Sequence, residues 1–498
     1  MTVLHYLEKT AIRFGDKTAV TDQNGSLCFN ALRADALKVA GYISILLDSM
    51  KNAPIFVYMP KSKETIVCFL GIAYSGNLYS LTDVKFPFDK AGRILDALNP
   101  ACIITERQNI NKLQENNANE YKIVLYEDIM ASNYTFDPAA ALTRIIDTDP
   151  LYVLFTSGST GVPKGVIIAH GSVRDYIDFL VHKLNLDDSL RILNQAPFYF
   201  DNSILDIYVT MAVGAELHIV PETYYTYTAK LTHYICENGI NFIFWVPSAL
   251  IHVANSNMLE SLIDCRLQDV FFCGEVMPNK QLNQWRKTLP QTRFINLYGP
   301  TEITDACTYF EVSRDFNDDD PLPLGYPCEN TDIMILDENN ELINGPGIQG
   351  ELCVRGVSLS LGYWKNPEKT SEAFVQNPLH NNYEEKIYKT GDLAHYNELG
   401  EIMFDGRKDF QIKHMGHRIE LGEIESAAAG VEGVTHACAL YKDEICLVYT
   451  GETGCSEVRK ALAGKLPKYM VPGKYKKIDE MPLNDNGKID RKTLTNDL

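Results

Sequence analysis

No run of apolar residues in this 498-residue chain approaches the length needed to cross a bilayer, so no membrane insertion is expected. Basic residues are in short supply: 46 Lys and Arg stand against 65 Asp and Glu, a formal net charge of -19. Nucleic acid and anionic membrane both need a basic footprint, so neither is expected as the main partner. None of the 12 cysteines has another three positions on, which removes the C-x-x-C patterns of zinc and redox sites. Scattered through a large chain with no secretory leader, they read as reduced, mostly core thiols of a cytoplasmic protein rather than a disulfide frame. The first residues, MTVLHYLEKTAIRFGDK, place Leu4, Leu7, Ala11 and Phe14 at helical spacing among charges, which predicts an amphipathic surface helix and not a signal peptide. Low-complexity tracts and internal repeats are also absent.

What remains is an ordinary globular composition on a long chain. A hydrophobic content of 45% is ample for large cores, and the length exceeds one ordinary domain. From about residue 50 to 300, short β-rich runs alternate with helical patterns: Pro54 to Met59, Ala101 to Thr105, Glu216 to Val220 and Asn241 to Val246. That alternation predicts α/β layers with largely parallel sheets. From Asp332 to Arg355 the pattern changes to strands and Gly turns, a smaller β unit with hairpins. Beyond Asp409 it changes again: a β-rich start, a helix in EIESAAAGVEG, strands in THACALY and EICLVYTG, and a helix in SEVRKALAGKL. A domain boundary therefore falls at Gly406 to Asp409.

The most informative stretch is FTSGSTGVPKGV, Phe155 to Val166, between two apolar strand-like runs. Its glycines let the backbone turn tightly and bring N–H groups to a polyanion, its hydroxyls add donors, and Lys164 adds charge. It is not a Walker loop, because Pro163 stands where the second glycine of G-x-x-x-x-G-K-[ST] belongs. Alone it reads as a Gly/Ser turn between strands. Four further motifs argue for more: NLYGPTE (Asn296 to Glu302), YKTGDL (Tyr388 to Leu393), GRKDFQIKHMGHRIELGEIE (Gly406 to Glu425) and NGKIDRK (Asn486 to Lys492). Together, in this order, they resemble the adenylate-forming superfamily, specifically its amino-acid-activating branch, over nearly the whole chain.

The resemblance implies a large N-terminal core of layered α/β subdomains plus a small β-rich unit, residues 1–408, which binds ATP and an amino acid. It further implies a small mobile α+β domain, residues 409–498, hinged at Asp409 and carrying a catalytic lysine. Adenylation joins a carboxylate to the α-phosphorus of ATP and expels pyrophosphate. Two anions must meet, so the site needs charge neutralisation and rigid positioning more than a general base. By resemblance, ATP is held by Thr156, Ser157, Gly158, Ser159, Thr160, Gly161 and Lys164 of the loop, by Gly274 and Glu275, and by Leu297, Gly299, Pro300 and Phe404. Asn296 would bond the adenine amino edge, Tyr298 stack on the base, Thr301 contact the α-phosphate, Asp392 accept from the ribose hydroxyls, and Arg407 lie near the ribose. Glu302 is the expected Mg2+ ligand; magnesium prefers hard oxygens and takes only one or two from protein. Lys488 would be a surface lysine on composition alone. In the family the lysine of this NGK motif bridges the substrate carboxylate and the nucleotide.

An aspartate inside the aromatic run FYFDNSILD, Phe198 to Asp206, is costly unless paired; a loop or capping role is the ordinary explanation. By resemblance Asp201 instead binds a substrate α-ammonium, with Phe200 as an aromatic gate beside it. The remaining wall carried over is Asn202, Leu205, Phe244, Phe271, Cys273, Leu297, Asp305 and Ala306, closed by Lys488. VFFCGEVMP, Val270 to Pro278, resembles the stand-alone D-alanine–carrier-protein ligases, while bulky Leu297 and acidic Asp305 depart from that group. The implied reaction is activation of a small amino acid as its aminoacyl-AMP, then transfer to the phosphopantetheine thiol of a separate carrier protein. The alternatives are a ligase using coenzyme A as acceptor and a catalytically silent binding subunit. Glu302, Asp392 and Lys488, which a silent homologue would be expected to lose, are all present.

Overall fold

The computed structural model describes residues 1–86, 88–114, 120–156, 163–482 and 489–496. The chain forms two compact units. One comprises Met1–Val84, Leu98–Leu154 and Gly165–Gly406; the other comprises Lys85–Ala97, Phe155–Lys164 and Arg407–Leu498. The first is built on two large sheets. One runs Gly362–Tyr363, Lys164–Ala169, Pro150–Thr156, Leu78–Leu81, Pro54–Tyr58, Cys102–Thr105, Ile123–Leu125, with parallel pairing through its centre. The other has Arg191–Asn194, Phe242–Trp245, Asp269–Cys273 and Arg293–Tyr298 as adjacent or near-adjacent parallel strands, with antiparallel Thr308–Glu311 beyond them. The four β-rich runs of the sequence all lie in these sheets, as β-branched and aromatic runs buried on both faces should.

Alternation along the strands of the second sheet sorts side chains between two cores. Phe242, Phe244, Phe271, Cys273, Ile295 and Leu297 point to one, while Ile243, Trp245, Val270 and Phe272 point to the other. The helix Asn202–Val213 lies in the first of these cores, with Ser203–Met211 buried throughout. It stops at Gly214, φ +83°, where a Cβ would stand 2.5 Å from Phe14 Cδ2. Phe14 ends the N-terminal helix Leu4–Phe14, whose Leu4, Leu7 and Ala11 are buried and whose Ile12 faces solvent, the amphipathic helix read from the sequence. The small β unit is a further sheet in which Thr331–Leu336 pairs antiparallel with Gly350–Gly356, and that with Lys386–Tyr396.

The second unit holds the hairpin Gln411–His414 and His417–Glu420, the helix Leu421–Ala429, and a sheet of Val434–Tyr441, Ile445–Gly451 and Lys474–Lys477. Among the described residues no helix is long and apolar enough to cross a membrane. One expectation is corrected. Cys236 and Cys265 form a disulfide, with Cα atoms 4.8 Å apart, so the cysteines are not all reduced. Cys236 lies on the helix Thr228–Glu237, which packs against the turn Leu259–Leu262 just before Cys265. A pairing across 29 residues leaves no spacing signal in the sequence. The other ten cysteines are in no disulfide, and all but Cys28 and Cys455 are buried.

Candidate active site

In the first unit, the strand Arg293–Tyr298 delivers Asn296, Leu297 and Tyr298 to its C-terminal end, followed by the short turn Thr301–Ile303. Ligands of open parallel sheets bind beyond the carboxyl ends of their strands, and here three adjacent parallel strands end together. Asn296 is buried and donates to the Pro323 carbonyl at 2.8 Å. Gly299 lacks the Cβ that would stand 2.5 Å from the Asp305 carbonyl oxygen, which lets the chain fold back on itself after the turn. At the far end of that fold-back Thr304 and Asp305 both adopt left-handed backbone, φ +60° and +71°. Strained non-glycine conformations of this kind persist where packing over-determines them, most often at functional sites.

Three carboxylates are buried around this segment, and each accepts from one tyrosine hydroxyl. Glu302, 0% exposed, accepts from Tyr363 at 2.8 Å. Asp305, 2% exposed, accepts from Tyr176 at 2.7 Å. Asp392, on the strand Lys386–Tyr396, accepts from Tyr298. Burial and then the adjacent carboxylate push Tyr176 and Tyr298 well above the ordinary phenol range, so both remain neutral donors. A phenol fills one of a carboxylate's several lone-pair positions. Among the described residues no three His, Cys, Asp or Glu gather as a metal cage. A single buried carboxylate is nonetheless the donor set magnesium takes when phosphate oxygens supply the rest.

Asp201 stands at the head of the helix Asn202–Val213, half-buried, accepting from the Asn202 N–H at 3.1 Å. The capping role that sequence alone allowed is therefore present. Among the residues of the predicted wall, Phe244 is in register with Phe271 and Cys273 with Leu297 on neighbouring strands. Leu205, Phe244, Phe271, Cys273, Leu297 and Ala306 are all buried in the same core. Asn202 is buried too, and its Nδ2 has no hydrogen-bond partner. Phe200 packs its ring on Tyr199, centroids 4.8 Å apart. Gly274, φ +103°, turns the chain so that Glu275 caps the helix Pro247–Asn255 through the Ser248 N–H at 2.9 Å. Phe404 lies partly buried against the core.

In the second unit, Thr156 Oγ1 reaches the Lys164 carbonyl at 3.5 Å, and Lys164 Nζ is 3.8 Å from Glu420. Arg407 grips Asp409 with two hydrogen bonds of 2.6 and 2.8 Å. Burial works against the Asp409 charge, but Arg407 outweighs it and holds the carboxyl below its ordinary range. Ser157, Gly158, Ser159, Thr160, Gly161 and Lys488 lie outside the described residues. Tyr176, Tyr298 as partner of Asp392, and Tyr363 are pairings the sequence did not announce. Tyr363 is 61 positions from Glu302 and Tyr176 129 from Asp305, separations that no local motif spans.

Residues 7–364 match the AMP-binding enzyme family. The chain belongs to that family. This AMP-binding enzyme is 30% identical to a D-alanine--D-alanyl carrier protein ligase of Bacillus cytotoxicus, an alignment covering the full length of both chains. It is 32% identical to tyrocidine synthase 1 of Brevibacillus parabrevis across 99% of its own length, but spans only 44% of that relative. Its fold matches PA1221, an NRPS protein containing adenylation and PCP domains, with a TM-score of 0.85 at 23% identity, over 100% of this chain and 84% of that one. The adenylate-forming assignment and the division into a large and a small subdomain read from the motifs are thereby met.

Proposed function

We propose that this enzyme activates a small amino acid with ATP as its aminoacyl-adenylate, releasing pyrophosphate, and passes the aminoacyl group to the phosphopantetheine thiol of a separate carrier protein in the cytoplasm. The observation that carries the reading is Asp201, a half-buried acidic side chain at the head of a helix whose Ser203–Met211 are buried, in the unit that also buries Leu205, Phe244, Phe271 and Cys273. An α-ammonium there gains a charge-assisted hydrogen bond that a fatty or aryl acid cannot supply. Asn296, Tyr298 and Asp392 receive the nucleoside, and Thr301 and the 156–164 loop the phosphates. Glu302 would hold Mg2+, which would neutralise phosphate charge. Lys488 would bridge the substrate carboxylate and the α-phosphate, with residues 1–408 binding the substrates and 409–498 supplying this lysine from the far side of the Asp409 hinge. Exchange of labelled pyrophosphate into ATP across all L- and D-amino acids tests the reading. Amino-acid-dependent exchange is expected; exchange supported only by acids lacking an amine, or by none, overturns it.

The acceptor has its own test. Ser456 to Lys492 contains ten Lys and Arg against five Asp and Glu on a chain of net charge -19. Three of these lysines, Lys474, Lys476 and Lys477, are exposed on the edge strand Lys474–Lys477. Edge lysines discourage strand pairing, which is the plain structural explanation. An acidic carrier would also be steered by them, at a salt-sensitive rate. Reversing all three to Glu is expected to slow carrier loading while leaving pyrophosphate exchange unchanged. Equal loss of both would indicate damaged folding, and full retention of loading would place docking elsewhere.

A further inference from the structure

The stretch that delivers Asp201 is neither strand nor helix. It leaves the strand Arg191–Asn194 and runs through residues 195–200 to the head of the helix Asn202–Val213. Irregular backbone positions a side chain only through the contacts that hold it. Its near end is held by three side chains. Lys61, which follows the strand Pro54–Tyr58 of the other large sheet, donates from Nζ to the carbonyls of Asn194 and Gln195 at 3.2 and 3.1 Å. The Tyr225 hydroxyl donates to the same Asn194 carbonyl at 2.9 Å. Asn194, itself buried, donates from Nδ2 to Asp206 at 2.6 Å, which ties the strand end to the helix that Asp201 caps. The Lys61 ammonium also stands 5.8 Å from the centre of the Phe198 ring, within the segment. At the far end the Phe200 N–H donates to the Pro197 carbonyl at 3.0 Å, and the Ser203 hydroxyl to the Phe200 carbonyl at 2.7 Å.

We infer that Lys61 is a positioning residue for the amino-acid site: its ammonium pins the start of the 195–200 segment to the neighbouring large sheet and so sets the place of Asp201 through the backbone. The inference rests on Asp201 taking the substrate α-ammonium, as proposed above. Hydrogen bonds from an ammonium are charge-assisted, roughly twice as strong as neutral ones, and no apolar side chain of similar length replaces them. Without them the near end of the segment is left to Tyr225 and the Asn194 side chain. A group that must meet a substrate's charge tolerates little displacement, and a shift of about 1 Å can cost on the order of 100-fold. Asp201 meets the amino acid in ground state and transition state alike, so its displacement shows in KM rather than in kcat. The nucleotide residues Asn296, Tyr298 and Asp392 stand on other strands, so ATP binding does not depend on this segment.

Lys61→Met nearly keeps the length of the side chain and removes its charge. In pyrophosphate exchange it should raise the KM for the amino acid about tenfold while leaving kcat and the KM for ATP within about twofold. Lys61→Arg, whose guanidinium can also donate to two carbonyls, should restore the amino-acid KM. Combined with Asp201→Ala, Lys61→Met should add nothing, because the group it positions is gone. A merely structural lysine would raise both KM values together, and that result overturns the inference, as does full additivity with Asp201→Ala. If Lys61→Met does not fold, Tyr225→Phe decides. It removes one hydrogen bond to the same carbonyl and no bulk, so the amino-acid KM alone should rise about threefold, and an unchanged value overturns the inference. An Asp201→Ala protein with unchanged amino-acid KM removes the reading on which the inference rests. A raised KM there, with Lys61→Met like wild type, removes only the positioning role.

Discussion

Lys488→Ala is expected to lower adenylate formation by roughly 10²–10³-fold or more, the usual effect of removing a group aimed at developing charge, while still permitting thioester formation from supplied aminoacyl-AMP. The described residues flanking Lys488 tie it to the second unit: Met481, Ile489 and Leu494 pack with Cys438, Leu440, Cys446 and Val448. Arg491 donates to the Ala439 carbonyl at 2.7 Å and pairs with Glu425 at 2.5 Å. The described residues on both sides of this lysine thus belong to that unit. If the unit rotates about Asp409 between half-reactions, withdrawing the lysine and presenting the Gly416 loop to the thiol, proline at 409 should block the second step, because its φ cannot change. Asp409→Pro is thus expected to retain pyrophosphate exchange and lose carrier loading. It also removes the carboxylate that Arg407 grips, so Asp409→Ala serves as its control and should retain both activities. Folded Lys488→Ala and Asp409→Pro proteins that each lose both half-reactions would rule out the two-conformation mechanism here.

Asp201→Ala should remove most amino-acid-dependent exchange while leaving ATP binding largely intact. The lost charge-assisted hydrogen bond is worth roughly 1.5–3 kcal/mol, a fall of about 10–100-fold in apparent affinity for the amino acid. The structure adds a complication and its remedy. Asp201 also caps the helix Asn202–Val213, and replacing a capping Asp by Ala costs about 0.5–2 kcal/mol of stability. Asparagine caps as well as aspartate but carries no charge. Asp201→Asn should therefore restore the melting temperature without restoring exchange. Full activity in Asp201→Asn would reduce the residue to a cap.

By itself the sequence determined what is local or repeated in pattern. β-Rich runs at 54–59, 101–105, 216–220 and 241–246 became strands because a short apolar run between turn residues has few other ways to bury itself. The leading helix followed from the spacing of Leu4, Leu7 and Ala11, and the family from motifs whose residues are contiguous. That Phe271 and Cys273, two apart on one strand, share a face was also legible, whereas a pocket wall was implied only by the resemblance. Only tertiary structure decided which distant side chains meet. Tyr363 with Glu302, Tyr176 with Asp305, Tyr298 with Asp392, and Cys236 with Cys265 join positions 29 to 129 residues apart. The direction of Asp305 belongs to the same class. Its carboxylate turns inward because a glycine at 299 lets the loop close on itself and a tyrosine from another helix receives it, neither of which spacing along the chain encodes.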